Sequence, residues 1–235
     1  RKIKRNKIFD TIVFFGSARI KSQADAEKAL LNAPNSISKS KIKRLEKDLE
    51  MSQYYESARE LAFKLTHWSK SLKGTKHRYI ITSGGGGGIM EAANRGAKEA
   101  DGISMGLTIS LPNEKTGNSW ISDDLELKFH YFFMRKFWFL YLAKALIVWP
   151  GGFGTLDEFM ELLTLIQTQK IKKRVPIVLY NREFWNKVIN WDYLEEAGTI
   201  SKKDLDLFHI SDSVDEIFQY ITSFIEKYQL KGPNF

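Results

Sequence analysis

The 235-residue chain has no cysteine, so disulfides, thiolate metal sites and cysteine nucleophiles are excluded. Its four histidines, His67, His77, His130 and His209, fall at no ligand spacing, and no metal or other cofactor is expected. No apolar run approaches the ~18 residues of a membrane span, so no membrane partner is expected. The basic start, RKIKRNKIFD, lacks the apolar core of a secretory signal. Together with the lack of cysteine, this sets the expectation of a cytoplasmic protein. Also absent is GxxxxGK[ST], which excludes a P-loop of the usual form. No internal repeat and no dividing linker is found.

What is present suits one large domain. Apolar residues make up 43% and charged residues 27%, enough to bury a substantial core. The net charge of +8 gathers in RKIKRNK, KSKIKR and KIKKR. Such runs read as solvated basic surface, or as an attraction for anionic ligands. No aromatic-basic motif accompanies them, so a nucleic-acid partner is not expected.

Apolar strand-like runs alternate with helical spacing along the chain. FDTIVFFGSA, HRYIITS, ISMGLTISLP, LELKFHYF, KALIVWP, RVPIVLY and LFHIS read as strands. Helices are expected at 53–68, behind the glycine run in IMEAANRGAKEA, around 134–143, in TLDEFMELLTLIQTQ, in REFWNKVINWDYLEEAG and from 215 to 228, with Ser213 as the last one's cap. The stretch 22–50 reads as a helical insertion broken by NAPNS. This alternation predicts an α/β fold, a Rossmann-like doubly wound parallel sheet in a single domain, with ligands beyond the carboxyl ends of the strands.

Three of the strands run into glycine turns: FGSA, SGGGGGIM and PGGFGT. Glycine lets a ligand approach the backbone, and the helix N-terminus that follows favours an anion such as phosphate. Gly85, Gly86 and Gly87 in the second turn, and Gly151, Gly152, Gly154 and Thr155 in the third, are therefore candidate phosphate-binding residues. The glycine run meets the dinucleotide spacing only loosely, and no acidic ribose partner follows the next strand, which disfavours hydride transfer.

In YFFMRKFWFLYLAKA the side chains are apolar all round, the mark of a helix buried on more than one side. Arg135 and Lys136 interrupt it. Long stems reaching the surface would account for one of them; two adjacent cations call for an anion or carboxylate partner. The helix after PGGFG supplies carboxylates. Leu156, Phe159, Met160, Leu163 and Ile166 fall on one face, with Glu158, Leu162 and Leu165 expected opposite. Asp157 and Glu158 complement the helix dipole there or address the hydroxyls of a ribose.

SGGGGGIMEAANRGA, MRK and PGGFGTLDE resemble the signature of the LOG (Lonely Guy) family of nucleoside 5'-monophosphate phosphoribohydrolases, once widely labelled lysine decarboxylases. More closely, the chain resembles the longer bacterial-type members, which include proteins described as AMP nucleosidases. The resemblance implies hydrolysis of the N-glycosidic bond of AMP or of a cytokinin riboside monophosphate. It implies Arg135 and Glu158 as catalytic pair and Lys136, Gly151, Gly152, Gly154, Thr155 and Asp157 as lining of the nucleotide site. Glu114 and Thr164 match further substrate contacts. A nucleotide-binding or carrier protein that uses the same pocket without turnover is the alternative. The old decarboxylase label would need pyridoxal phosphate on a lysine, for which Lys136 is the candidate. Leftover apolar surface on the Arg135 helix, and at Leu162 and Leu165, predicts a homodimer or higher oligomer with Leu162 at the interface.

Overall fold

The computed structural model describes residues 2–72, 77–110 and 117–230. Strands β1 (Thr11–Phe15), β2 (Ile80–Ser83), β3 (Ser104–Ile109), β4 (Glu126–Phe129), β5 (Ala143–Val148), β6 (Ile177–Tyr180) and β7 (His209–Ser211) form one sheet. Every pairing is parallel and the order is β4-β3-β2-β1-β5-β6-β7. β1, β2, β5 and β6 are buried at every residue, which is why they read as mainly apolar runs without alternation, although Thr11, Thr82, Ser83 and Lys144 are buried among them.

Pleating sends successive side chains of β1 into two different cores. Ile12 and Phe14 pack with Tyr55, Leu61, Ala92 and Ile217 on one face of the sheet. Val13 and Phe15 pack with Phe139, Phe159, Leu162 and Trp185 on the other. The first face is covered by α3 (Lys39–Ser71), α4 (Ile89–Glu99) and α9 (Val214–Tyr228), the last capped by Ser213 at the Glu216 N–H. The second is covered by α5 (Phe132–Leu142), α6 (Phe153–Gln167) and α7 (Arg182–Val188). Short α1 (Lys2–Arg5) and α8 (Trp191–Glu196) pack at the margin of the second core through Ile3 and Trp191, and α2 (Gln23–Leu31) packs on α3. No helix among the described residues is long and apolar enough to cross a membrane.

The expected insertion is helical, and its second half continues into the core helix. α3 runs unbroken for 33 residues, roughly 50 Å at the usual rise, with its buried side chains confined to Ser52–Thr66. The single helix expected between Arg182 and Gly198 is two helices. The Asn190 side-chain oxygen accepts the Tyr193 N–H at 3.0 Å and starts α8 afresh, a cap that competes successfully with helix continuation. The expected division of the α6 faces is also corrected. Its buried edge is Thr155, Glu158, Phe159 and Leu162, because α5 closes over Glu158 while Phe159 and Leu162 meet the sheet. Leu162 is a core residue of the protomer, not a surface leucine.

Candidate active site

From β1 the chain adds β2, β3 and β4 outward on one side, then returns to place β5 on the other side of β1. The crevice of a doubly wound sheet opens where that reversal occurs, beyond the carboxyl ends of β1 and β5. The turns there are FGSAR, after β1, and PGGFG, after β5. The Ser17 N–H donates to the Pro150 carbonyl at 3.1 Å, and the Ile89 N–H at the start of α4 donates to the Ser17 carbonyl at 3.0 Å. All three glycine turns of the sequence are thus drawn to one point.

A cavity of about 580 Å³ opens beside it, lined by the first turn of α6, the FGSAR turn, Gly84, Met90 and the catalytic candidates of α5 and α6. Volume and mixed lining suit a small-molecule site. Gly152 precedes α6 with no side-chain cap, so the first N–H groups of the helix are available to an anion. The glycines of this turn have different reasons. A Cβ at Gly151 would collide with Thr155 Oγ1. Cβ atoms at Gly152 or Gly154 would meet nothing within 4 Å, and neither residue has positive φ. Glycine in a helix costs up to ~1 kcal/mol against alanine, and neither strain nor packing within the chain demands it at Gly154. Open space over bare backbone is what a bound phosphate uses.

Opposite the turn, Arg135 on α5 reaches Glu158 on α6, Nη2 to Oε1 at 3.3 Å. Both are nearly enclosed, and the guanidinium lies against the Phe132 and Phe139 rings at 5.0 and 5.7 Å. Arg135 Nε is buried with no hydrogen-bond partner, so the group holds donor capacity in reserve. Burial pushes the Glu158 carboxyl up to about 7, against the pull of Arg135 and Lys136 and with the help of Asp157 and Glu161. A carboxylate poised near neutrality beside a cation in a cleft is the electrostatic profile of an acid–base or ion-stabilising residue.

Arg135, Glu158, Gly152, Gly154 and Thr155 line the cavity together. Lys136 and Asp157 lie beside it as a pair at 2.8 Å, with Glu161 at 2.6 Å from the same ammonium. Burial works against the charge on Lys136, but hydrogen bonds to Asp157 and Glu161 outweigh it and raise its pKa. A doubly paired ammonium does not fit a Schiff-base lysine, which must shed its proton, so no step through pyridoxal phosphate is derived. Gly85, Gly86 and Gly87 stand behind the cavity: the Gly85 and Gly86 carbonyls accept from Asn118, and Gly84 is the member of that run that reaches the lining. Thr164 is exposed and donates to the Met160 carbonyl at 2.8 Å, away from the lining. Gly151 faces a neighbouring cavity. Glu114 lies outside the described residues. Ser17, Arg19, Met90 and Phe139 also line the site and were not singled out from the sequence. For Ser17 and Arg19 the signal was present, since both belong to the FGSAR turn.

Fold and cleft together define a doubly wound α/β protein in which an uncapped helix N-terminus faces a buried Arg–Glu pair. Residues 90–221, over half of the chain, match the family model described as "Possible lysine decarboxylase", and the chain belongs to this family, the LOG family. The chain is 25% identical over 145 residues to a probable cytokinin riboside 5'-monophosphate phosphoribohydrolase of Oryza sativa subsp. japonica. That match spans 61% of this chain and 62% of the rice protein's length. Among solved structures, the molybdenum cofactor binding protein of Rippkaea orientalis superposes with a TM-score of 0.56 at 18% identity, covering 92% of this chain and 98% of its own. The Moco carrier protein of Chlamydomonas reinhardtii gives 0.51 at 19% identity, covering 93% and 99%. At such identities these likenesses show the fold.

Proposed function

We propose that the chain hydrolyses the N-glycosidic bond of a nucleoside 5'-monophosphate, AMP or a cytokinin riboside monophosphate, to free base and ribose 5-phosphate. The observation that carries this is the meeting, in one cavity, of the uncapped N-terminus of α6 with the buried Arg135–Glu158 pair. The phosphate would sit on the Gly152–Thr155 backbone, remote from the bond that breaks, and its binding energy would position the sugar. Cleavage develops positive charge on the ribose ring. Ionised Glu158 stabilises that charge and takes a proton from the attacking water, whose oxygen bonds to C1'. The electron pair of the C–N bond leaves with the base, whose ring nitrogen gains one proton, equal to the one Glu158 takes from water, while the water's other proton stays on the new hydroxyl. Arg135 holds Glu158 in place and meets the bound anion.

Incubation with AMP, GMP, CMP, UMP and isopentenyladenosine monophosphate, followed by chromatography of free base, tests the reading. No base from any of them would overturn it. The names of the two fold neighbours favour the carrier alternative. A carrier has no need of a desolvated carboxylate, and the same assay separates the two readings.

The pH profile gives a finer test. Glu158 is neutral below about 7 and ionised above it. If the ionised form acts, kcat/KM should rise roughly tenfold per pH unit on the acid side and level off near pH 8. A profile flat from pH 5 to 8 would contradict the role given to Glu158.

The assembly proposed is a homodimer built on α5. Phe133, Phe137 and Tyr141 recur at every fourth residue and form an exposed aromatic stripe, with Phe133 66% and Phe137 53% accessible. Phe153, in the phosphate turn itself, is 93% accessible. A two-fold contact along this stripe would cover surface that a lone protomer leaves in water.

A further inference from the structure

A second cavity, of about 440 Å³, adjoins the first across Gly152. Ser17, Arg19 and Gly152 line both. Its far wall is the N-terminal half of α3, within the stretch expected to be an insertion, and its floor is apolar and aromatic: Ile20, Met51, Tyr54 and Phe184. The cations at its rim are matched by carboxylates. Arg44 meets Asp48 at 3.0 Å, Lys47 meets Glu50 at 2.6 Å, and Lys187 meets Glu183 at 2.5 Å. Arg19, at the boundary, has no carboxylate partner among the described residues.

Arg19 is exposed, and this distribution of charge suits one kind of ligand. An anion is wanted at the boundary, beside Arg19 and the bare backbone of Gly152. A flat apolar group with polar edges is wanted beyond it, against Tyr54 and Phe184. Gly152 has no side chain to stand in the passage, and a Cβ built there meets nothing within 4 Å. A phosphate seated at this point is therefore not at the end of a closed pocket, and its outer oxygen faces further room.

We propose that the site takes a nucleotide whose 5'-phosphate is joined through a pyrophosphate to a second ring-bearing group, the second group lying in the cavity walled by the insertion. This deepens the function proposed above and rests on its placement of the phosphate at the start of α6. It also gives the insertion a task, that of building the subsite for the distal group.

Equilibrium titration of the full chain carrying Glu158→Gln, so that AMP is bound and not hydrolysed, with AMP and diadenosine 5',5'-diphosphate tests it. Two linked half-sites make the dinucleotide bind roughly tenfold or more tighter than AMP. Met51→Trp, which fills the second cavity, should remove that advantage while AMP affinity is kept, and retained AMP binding also reports a folded protein. Phe184→Ala should lower dinucleotide affinity several-fold by removing a stacking surface. A dinucleotide no tighter than AMP would overturn the proposal. So would a dinucleotide that binds without displacing AMP, since it would then occupy a separate site. If neither binds, both this proposal and the phosphate placement fail. If AMP binds alone, only this proposal does.

Discussion

Glu158→Gln is expected to abolish base release and, at pH 8, to unfold at a higher temperature than the native protein. The carboxyl is raised from 4.5 to about 7 by burial. Below pH 4.5 it is protonated in the folded and unfolded chain alike, and the substitution changes little. Between pH 4.5 and 7 the unfolded chain loses the proton first, so the native protein loses stability as pH rises. Above 7 both forms are ionised and the penalty stays constant at ~3 kcal/mol. Glutamine keeps the shape and carries no such penalty. For a chain of this size the gain corresponds to a rise of roughly 6–12 °C in Tm at pH 8, fading towards zero at pH 4. Loss of turnover should reach about 10²–10⁴-fold, the range of a positioned acid–base group. Calorimetry at both pH values with the base-release assay would measure both effects. Unchanged or lowered Tm at pH 8 would show that ionised Glu158 is not a strained group, and near-normal kcat would remove it from the mechanism.

Phe137→Glu should split the proposed homodimer. Sedimentation of the native protein at micromolar concentration should give twice the 27.2 kDa chain mass or a multiple of it, and the variant the chain mass. Two-fold symmetry makes the substitution count twice. With about 1.5–3 kcal/mol lost per buried ring, the dissociation constant should rise at least roughly a hundredfold. Activity should fall with it, because the stripe lies on the helix that carries Arg135. A native monomer would refute the interface. Leu162→Glu, at the position the sequence placed in the interface, would instead put a charge against the sheet and unfold the protomer, since Leu162 is 1% accessible.

The reasons for this difference show how far a sequence carries. The strands were readable because those buried on both faces are mainly apolar and do not alternate, and the alternation with helices leads directly to a doubly wound sheet. The candidate cleft was readable as motifs: Arg135 and Glu158 meet, and residues of the PGGFG turn line the same cavity. What periodicity could not show was which flank of α6 another helix covers. Glu158 and Leu162 are four residues apart on one edge, and only the position of α5 decides that this edge is inside. For the same reason Lys136, adjacent to Arg135, points away to Asp157 and Glu161 and leaves the cavity to its neighbour. The break between α7 and α8 was hidden because an asparagine cap in a helix-like sequence gives no apolar signal. Arg19 was overlooked since the glycine, not the residue three positions later, drew attention to the turn.

The length of α3 has a consequence for how the molecule breathes. From Ser52 to Thr66 the helix is fastened to the core, whereas its first turns, from Lys39 to Glu50, bury no side chain fully. Opening of those turns costs far less than global unfolding, and amide exchange there should be correspondingly fast. The second cavity is thus walled in part by turns, Arg44 to Glu50, whose opening is local. A distal group would enter by local melting of one helix end, without disturbing the Arg135–Glu158 pair, and its departure would be timed by the same fluctuation.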